Sequence, residues 1–230
     1  MKHFWKISVL FWTIGLVITG CSNSGGSDKG FGEATSTTDP GVVINGIRWA
    51  TRNVDKPGTF AAKSEDTGMF YKWNNKVGWT TNPLTNSNGN TEWDDTPLSV
   101  KWATKNDPSP KGWRLPTLEE IQSLADTDSV LHESITQNGV NGKKITDKNT
   151  GATLFLPSAG FLQRGAARPS LFGNNGQYWS SEFQDDTYPY VVTLNFYTFY
   201  GRHDSEGVVC YRMYSGDYGG SNLVIRSVAK

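Results

Sequence analysis

The chain has 230 residues, with 22 basic and 22 acidic side chains, 9 Trp, 9 Tyr, 11 Phe, three histidines and two cysteines. A formal net charge of zero and the lack of any basic stripe exclude tracking of a phosphate backbone, so nucleic acid is not an expected partner. Two cysteines cannot build a cysteine metal site, and His3, His132 and His203 lie far apart with no second ligand at metal spacing, so neither metal nor cofactor is expected.

At the start, Lys2 and Lys6 flank an apolar run from Ile7 to Ile18 that is about the length of a signal-peptide core and too short for a bilayer span. The run ends in Leu16-Val17-Ile18-Thr19-Gly20-Cys21, which resembles the lipobox of a bacterial lipoprotein precursor. Residues 1–20 are therefore expected to be a removed signal peptide and Cys21 to carry the lipid. Without Lys2 and Lys6 the balance becomes 20 basic against 22 acidic residues. Two or more acyl chains anchor a protein stably, so the membrane is the first expected partner. With Cys21 acylated, Cys210 is the only thiol left and no disulfide can form within one chain. Residues 22–41 are polar and glycine-rich and cannot bury enough apolar surface to offset their ordering entropy. They read as a flexible tether, reaching about 25 Å as a random coil. Residues 42–230 suit one domain.

Within that domain Val42-Val43-Ile44, Asn45-Gly46 and Ile47-Arg48-Trp49 spell a two-residue hairpin. Residues 74–110 are loop-rich, with turn signals at Asn82-Pro83, Asn88-Gly89 and Asp107-Pro108. Thr117 and Glu120 form a capping box ahead of Leu118, Ile121, Leu124 and Ala125, which predicts a helix over Leu118–Ala125. A second hairpin is predicted from Lys143 to Leu156, turning at Lys148-Asn149-Thr150-Gly151. Val192 to Tyr197 alternates apolar and polar, as a strand with one inward face does. Eight of the nine tyrosines lie between Tyr178 and Tyr218, the most ligand-like composition in the chain, because tyrosine gives large contact area with few rotors.

Five motifs in order carry a family resemblance: Ile44 to Val54 (INGIRWATRNV), Phe70 to Trp73 (FYKW), Pro110 to Thr117 (PKGWRLPT), Leu154 to Phe161 (LFLPSAGF) and Tyr178 to Ser181 (YWSS). Together they resemble the Fibrobacter succinogenes major paralogous domain, over Val42 to about Met213. The resemblance implies an α+β, C-type-lectin-like fold, loop-rich with antiparallel hairpins and one or two short helices. It also implies a distant kinship with formylglycine-generating enzymes. Two departures stand out. The family often has cysteine where this chain has Ser109, which implies a pairing with the position matching Cys210, here left as an expected buried thiol. Arginine is common in the family where this chain has Val209.

Trp49, Trp73, Trp113 and Trp179 are read as core, and Arg48, Arg52 and Arg114 as bonded internally, because motif residues beside tryptophans serve packing first. Ligand contacts are expected instead from Tyr188, Tyr190, Asn195, Tyr197, Phe199, Tyr200, Arg202, His203, Asp204 and Tyr211. The calcium loops of sugar-binding lectins, Glu-Pro-Asn or Gln-Pro-Asp with a later Trp-Asn-Asp, do not occur, and Glu92 to Asp95 reads as solvated acidic surface. Copper chemistry of the formylglycine type needs two cysteines, and Ser158 lacks the first glycine of a nucleophile elbow and a histidine at hand. The expected function is a non-catalytic, lipid-anchored module for recognition or adhesion at the outer membrane, open to surface exposure, that binds a glycan or protein. A fimbrial tip or assembly subunit is the alternative, and a glycoside hydrolase the weaker one, since that chemistry needs only two carboxylates.

Overall fold

Asn45 and Gly46 both adopt positive φ, 49° and 77°, which is what a two-residue turn matched to strand twist requires. They join β1 (Val42–Ile44) to β2 (Ile47–Trp49), with Val42 opposite Trp49 and Ile44 opposite Ile47, as predicted. The computed structural model describes residues 36–93, 102–183, 190–197, 209–214 and 221–230, the strands at 190–197 and 209–214 chiefly through their backbone pairing. Downstream come β3 (Phe70–Lys72), β4 (Gly78–Trp79), β5 (Trp113–Arg114) and α1 (Leu118–Ser123). Next are β6 (Val130–Gln137), β7 (Val140–Asp147), β8 (Thr153–Pro157), β9 (Leu162–Gln163) and β10 (Asn175–Phe183). The chain closes with β11 (Tyr190–Tyr197), β12 (Val209–Tyr214), β13 (Ser221–Leu223) and β14 (Val228–Ala229).

The α+β, C-type-lectin-like class expected above is corrected by this inventory. The chain is mostly β-sheet, 39% strand and 6% helical, with one lone short helix and several antiparallel sheets. Two local causes account for the difference. The helix has its complete capping box but stops at Ser123, two residues short of the prediction, where Leu124 and Ala125 donate to Ile121 and Gln122 in tight turns and Asp126 organises the exit by accepting from Ser129. Residues 130–147 carry no clean alternation, yet Asn138-Gly139, with φ of 48° and 83°, folds them into a hairpin of two eight-residue strands. The predicted second hairpin is present as β7–β8, pairing Thr146 with Thr153 and Lys143 with Leu156.

Four antiparallel sheets result, in the orders β1-β2-β14-β5, β4-β3-β13-β9, β6-β7-β8 and β10-β11-β12. Late sequence locks early sequence: Val228 pairs with both Trp49 and Arg114, and Asn222 lies between Lys72 and Leu162. A large apolar core joins Ile44, Trp49, Ile121, Leu154, Tyr178 and Phe196. A second gathers Trp73, Trp102 and Trp179, with ring centroids 5.1 to 6.4 Å apart and edge-on, the geometry their quadrupoles favour. All four motif tryptophans are buried.

Residues 36–41, assigned above to the tether, pack on this body. The Asp39 carboxylate is wholly buried and accepts from the Gly41 and Thr51 amides, the Thr51 hydroxyl and Arg52 Nε, at 2.8 to 3.0 Å. Burial by itself would raise the Asp39 pKa; these donors outweigh it and hold the group below its ordinary value.

Candidate functional site

A groove of about 780 Å3 lies among the described residues. Its floor is Phe70 at the start of β3 with Thr67 and Gly68 just before it; one wall is Thr81 to Leu84 after β4, the other Ala167 to Pro169 with Phe172 between β9 and β10. The first wall is a pinned loop: Thr80 donates its amide to Thr85 and its hydroxyl to the Pro83 carbonyl at 2.6 Å. Leu84 roots that loop in the core.

The second wall is held at its base. Phe161 and Ser170 exchange both backbone hydrogen bonds, Gly173 donates to Ser158, and Asn141 Nδ2 donates to the Gly173 carbonyl. Leu171 sits at a φ of 56°, uncommon for a residue with a side chain, and its carbonyl accepts from both Asn174 and Asn175. This conformation leaves Leu171 and Phe172 45% and 56% exposed. Gly160 lets the wall approach, since it has a φ of 66° and a Cβ there would run into the Ser170 carbonyl.

Chemically the groove offers an exposed phenyl ring, two prolines, the hydroxyls of Thr67 and Thr81, the carboxamide of Asn82 and one cation, Arg168. Among the described residues no carboxylate, histidine or cysteine lines it. Such a set can stack on an apolar ring face and bond hydroxyls around it. A smaller hollow of about 240 Å3 lies among Trp102, Asp107, Arg114, Thr117, Ser181 and Lys230, but its polar groups already serve the fold. Arg114 grips Glu120 in a two-bond fork at 2.7 and 2.6 Å, and Asp107 accepts from the Ser109 and Leu115 amides. Burial would raise Glu120, yet the Arg114 fork and the Thr117 amide hold it low, while the same fork raises Arg114.

The lipidation residue Cys21 and, of the sequence-predicted ligand set, Tyr188, Phe199, Tyr200, Arg202, His203 and Asp204 lie outside the described residues. Backbone pairing sets Tyr190 opposite Tyr214, Tyr197 opposite Asn175 and Tyr211 opposite Thr193. Asn195 is buried and its side-chain oxygen accepts from Asn175 Nδ2 at 2.6 Å. The groove residues Asn82, Pro83, Arg168 and Phe172 were not singled out as ligands. Their sequence signal is faint: residues 163–172 hold two arginines and no acid, then end in Leu-Phe before a glycine-asparagine turn.

Several internal roles match expectation. Arg48 bonds the Pro40 carbonyl, Arg52 bonds Asp39 with the Thr38 and Ala61 carbonyls, and Ser158 is buried. His132 Nε2 lies 2.7 Å from the Leu124 carbonyl, and burial lowers its pKa. Among the described residues no three His, Cys, Asp or Glu side chains gather as a metal site.

Ser109 meets a residue from the end of the chain. Its hydroxyl is 2.8 Å from that of Ser227, and the preceding Arg226 is fully buried, donating to Asn53 Oδ1 at 2.9 Å and to the Ala50 carbonyl at 3.2 Å. Tyr178, close by, donates to the Pro157 carbonyl, and burial pushes its pKa up to about 12.

Comparison of the chain with protein-family models, curated proteins and solved structures returned no match.

Proposed function

We propose that the chain is a non-catalytic recognition module that binds a glycan in the groove between residues 81–84 and 167–172, held to the outer membrane by lipid on Cys21. The observation that carries this reading is the groove itself: an exposed aromatic ring faces hydroxyl and amide groups on two pinned loops, with no pair of carboxylates in its lining. Kinship with the major paralogous domain family belongs to the same proposal and rests on the five ordered motifs. The test is retention of the full-length lipoprotein, in detergent, on a panel of immobilised polysaccharides. Retention on at least one, lost in Phe172→Ala and without release of new reducing ends, supports binding. No retention on any, or saccharide cleavage, contradicts it.

One observation favours assembly as a second reading. β6 is an eight-residue strand at the edge of its sheet, with Leu131 51% exposed, and such an edge can accept a strand from another chain. Concentration-dependent oligomers abolished by a proline at Leu131 would support that role.

A further inference from the structure

We infer that the groove selects a carboxylate-bearing saccharide and that Arg168 is the residue that reads the acid. The inference rests on the glycan-binding proposal and adds the ligand class. Arginine in this chain is ordinarily spent on the fold: Arg48, Arg52, Arg114 and Arg226 each bond carbonyls, carboxylates or amides of their own chain. Arg168 differs. It is exposed on the groove wall and makes no hydrogen bond or ion pair among the described residues. A guanidinium left open on a concave surface presents a planar fork that fits a carboxylate through two parallel bonds.

The surroundings favour an acid over a neutral sugar. With one cation and no anion among the described lining residues, the charge they give the groove is positive. Asp66, which precedes the floor residue Thr67, accepts from the Lys63 amide at 2.8 Å and belongs to its own turn. Phe172 supplies the flat apolar surface for a ring face, while Thr67, Thr81 and Asn82 supply partners for hydroxyls. A volume of about 780 Å3 accommodates more than one sugar ring. A single arginine suits a single charge per recognised unit, the pattern of a uronic-acid polymer.

The experiment is titration calorimetry of the full-length lipoprotein in detergent with three probes: trigalacturonate, its neutral counterpart trigalactose, and a carrageenan oligosaccharide, which carries sulfate but no carboxylate. Trigalacturonate should bind, weakening as salt rises. Arg168→Gln should reduce that affinity roughly 10-fold to 100-fold, as loss of a charged hydrogen bond does, and remove most of the salt dependence. Arg168→Lys should restore the charge but only part of the affinity. Phe172→Ala should weaken every saccharide that binds. Binding of trigalactose alone would overturn the acid preference and leave glycan recognition standing; binding of the sulfated probe alone would replace carboxylate by sulfate and overturn the inference as stated. Binding of none would remove both. Trigalacturonate binding untouched in Arg168→Gln, in a variant with unchanged circular dichroism, would also overturn it.

Discussion

Arg226 and Arg168 are the same side chain put to opposite uses. Arg226 is fully buried at the meeting of Asn53, Ala50 and Tyr178, where burial lowers its pKa and its bonds tie the last strand to the first hairpin. Arg168 stands exposed on a loop wall with its donors open. The contrast extends to their neighbours: edge-on tryptophans and a four-donor Asp39 on one side, an exposed Phe172 and Leu171 on the other. Polar groups enclosed and bonded within the chain specify the fold, even where one atom such as Arg226 Nη2 lacks a partner, whereas polar groups left open on pinned loops are free to meet a ligand.

The sharpest break in that contrast is on the core side. Arg226→Ala should cost about 3–5 kcal/mol, since it orphans buried acceptors and opens a cavity, read as a lowered urea midpoint. Asp39→Ala should follow at about 2–4 kcal/mol from lost hydrogen bonds. Asp39 also sets a pH signature. Its folded pKa is lowered, so its contribution is complete above the unfolded value of about 4 and is lost as pH falls through the folded one. Wild-type stability should therefore fall below about pH 4 more steeply than that of Asp39→Ala. Ser109→Cys with Ser227→Cys should form a disulfide, because the two hydroxyls already meet at 2.8 Å, and raise stability by about 2–4 kcal/mol. Mass under non-reducing conditions and the shift in Tm check it. Thr117→Ala, which removes one half of the capping box, should cost only about 1 kcal/mol.

Sequence made the scaffold more legible than the site. Asn45-Gly46, the Thr117 and Glu120 capping box and the turn at Lys148 to Gly151 are local devices whose chemistry acts within a few residues, and each stands where its residues put it. The β6–β7 hairpin carried the same Asn-Gly signal but no hydrophobic alternation to announce its strands, which is why the sheet content was underestimated. Long-range partnerships were harder. Ser109 and Ser227 are 118 residues apart, and no spacing rule links them; only the folded chain brings their hydroxyls together. The groove is the extreme case, since its two walls come from turns about 85 residues apart whose composition resembles any polar loop. Of the tyrosine-rich set, Tyr188, Phe199, Tyr200, Arg202, His203 and Asp204 lie outside the described residues, Tyr190, Tyr197 and Tyr211 are placed by backbone pairing, and Asn195 is buried.

The most direct test of the division between scaffold and site is retention of Phe172→Ala on immobilised polysaccharide, measured together with its Tm and beside Arg226→Ala assayed below its own Tm. The groove account predicts that Phe172→Ala keeps the wild-type Tm and loses retention, while Arg226→Ala unfolds early yet is retained when folded. Wild-type retention by Phe172→Ala, or a Tm that falls as far as that of Arg226→Ala, would contradict it.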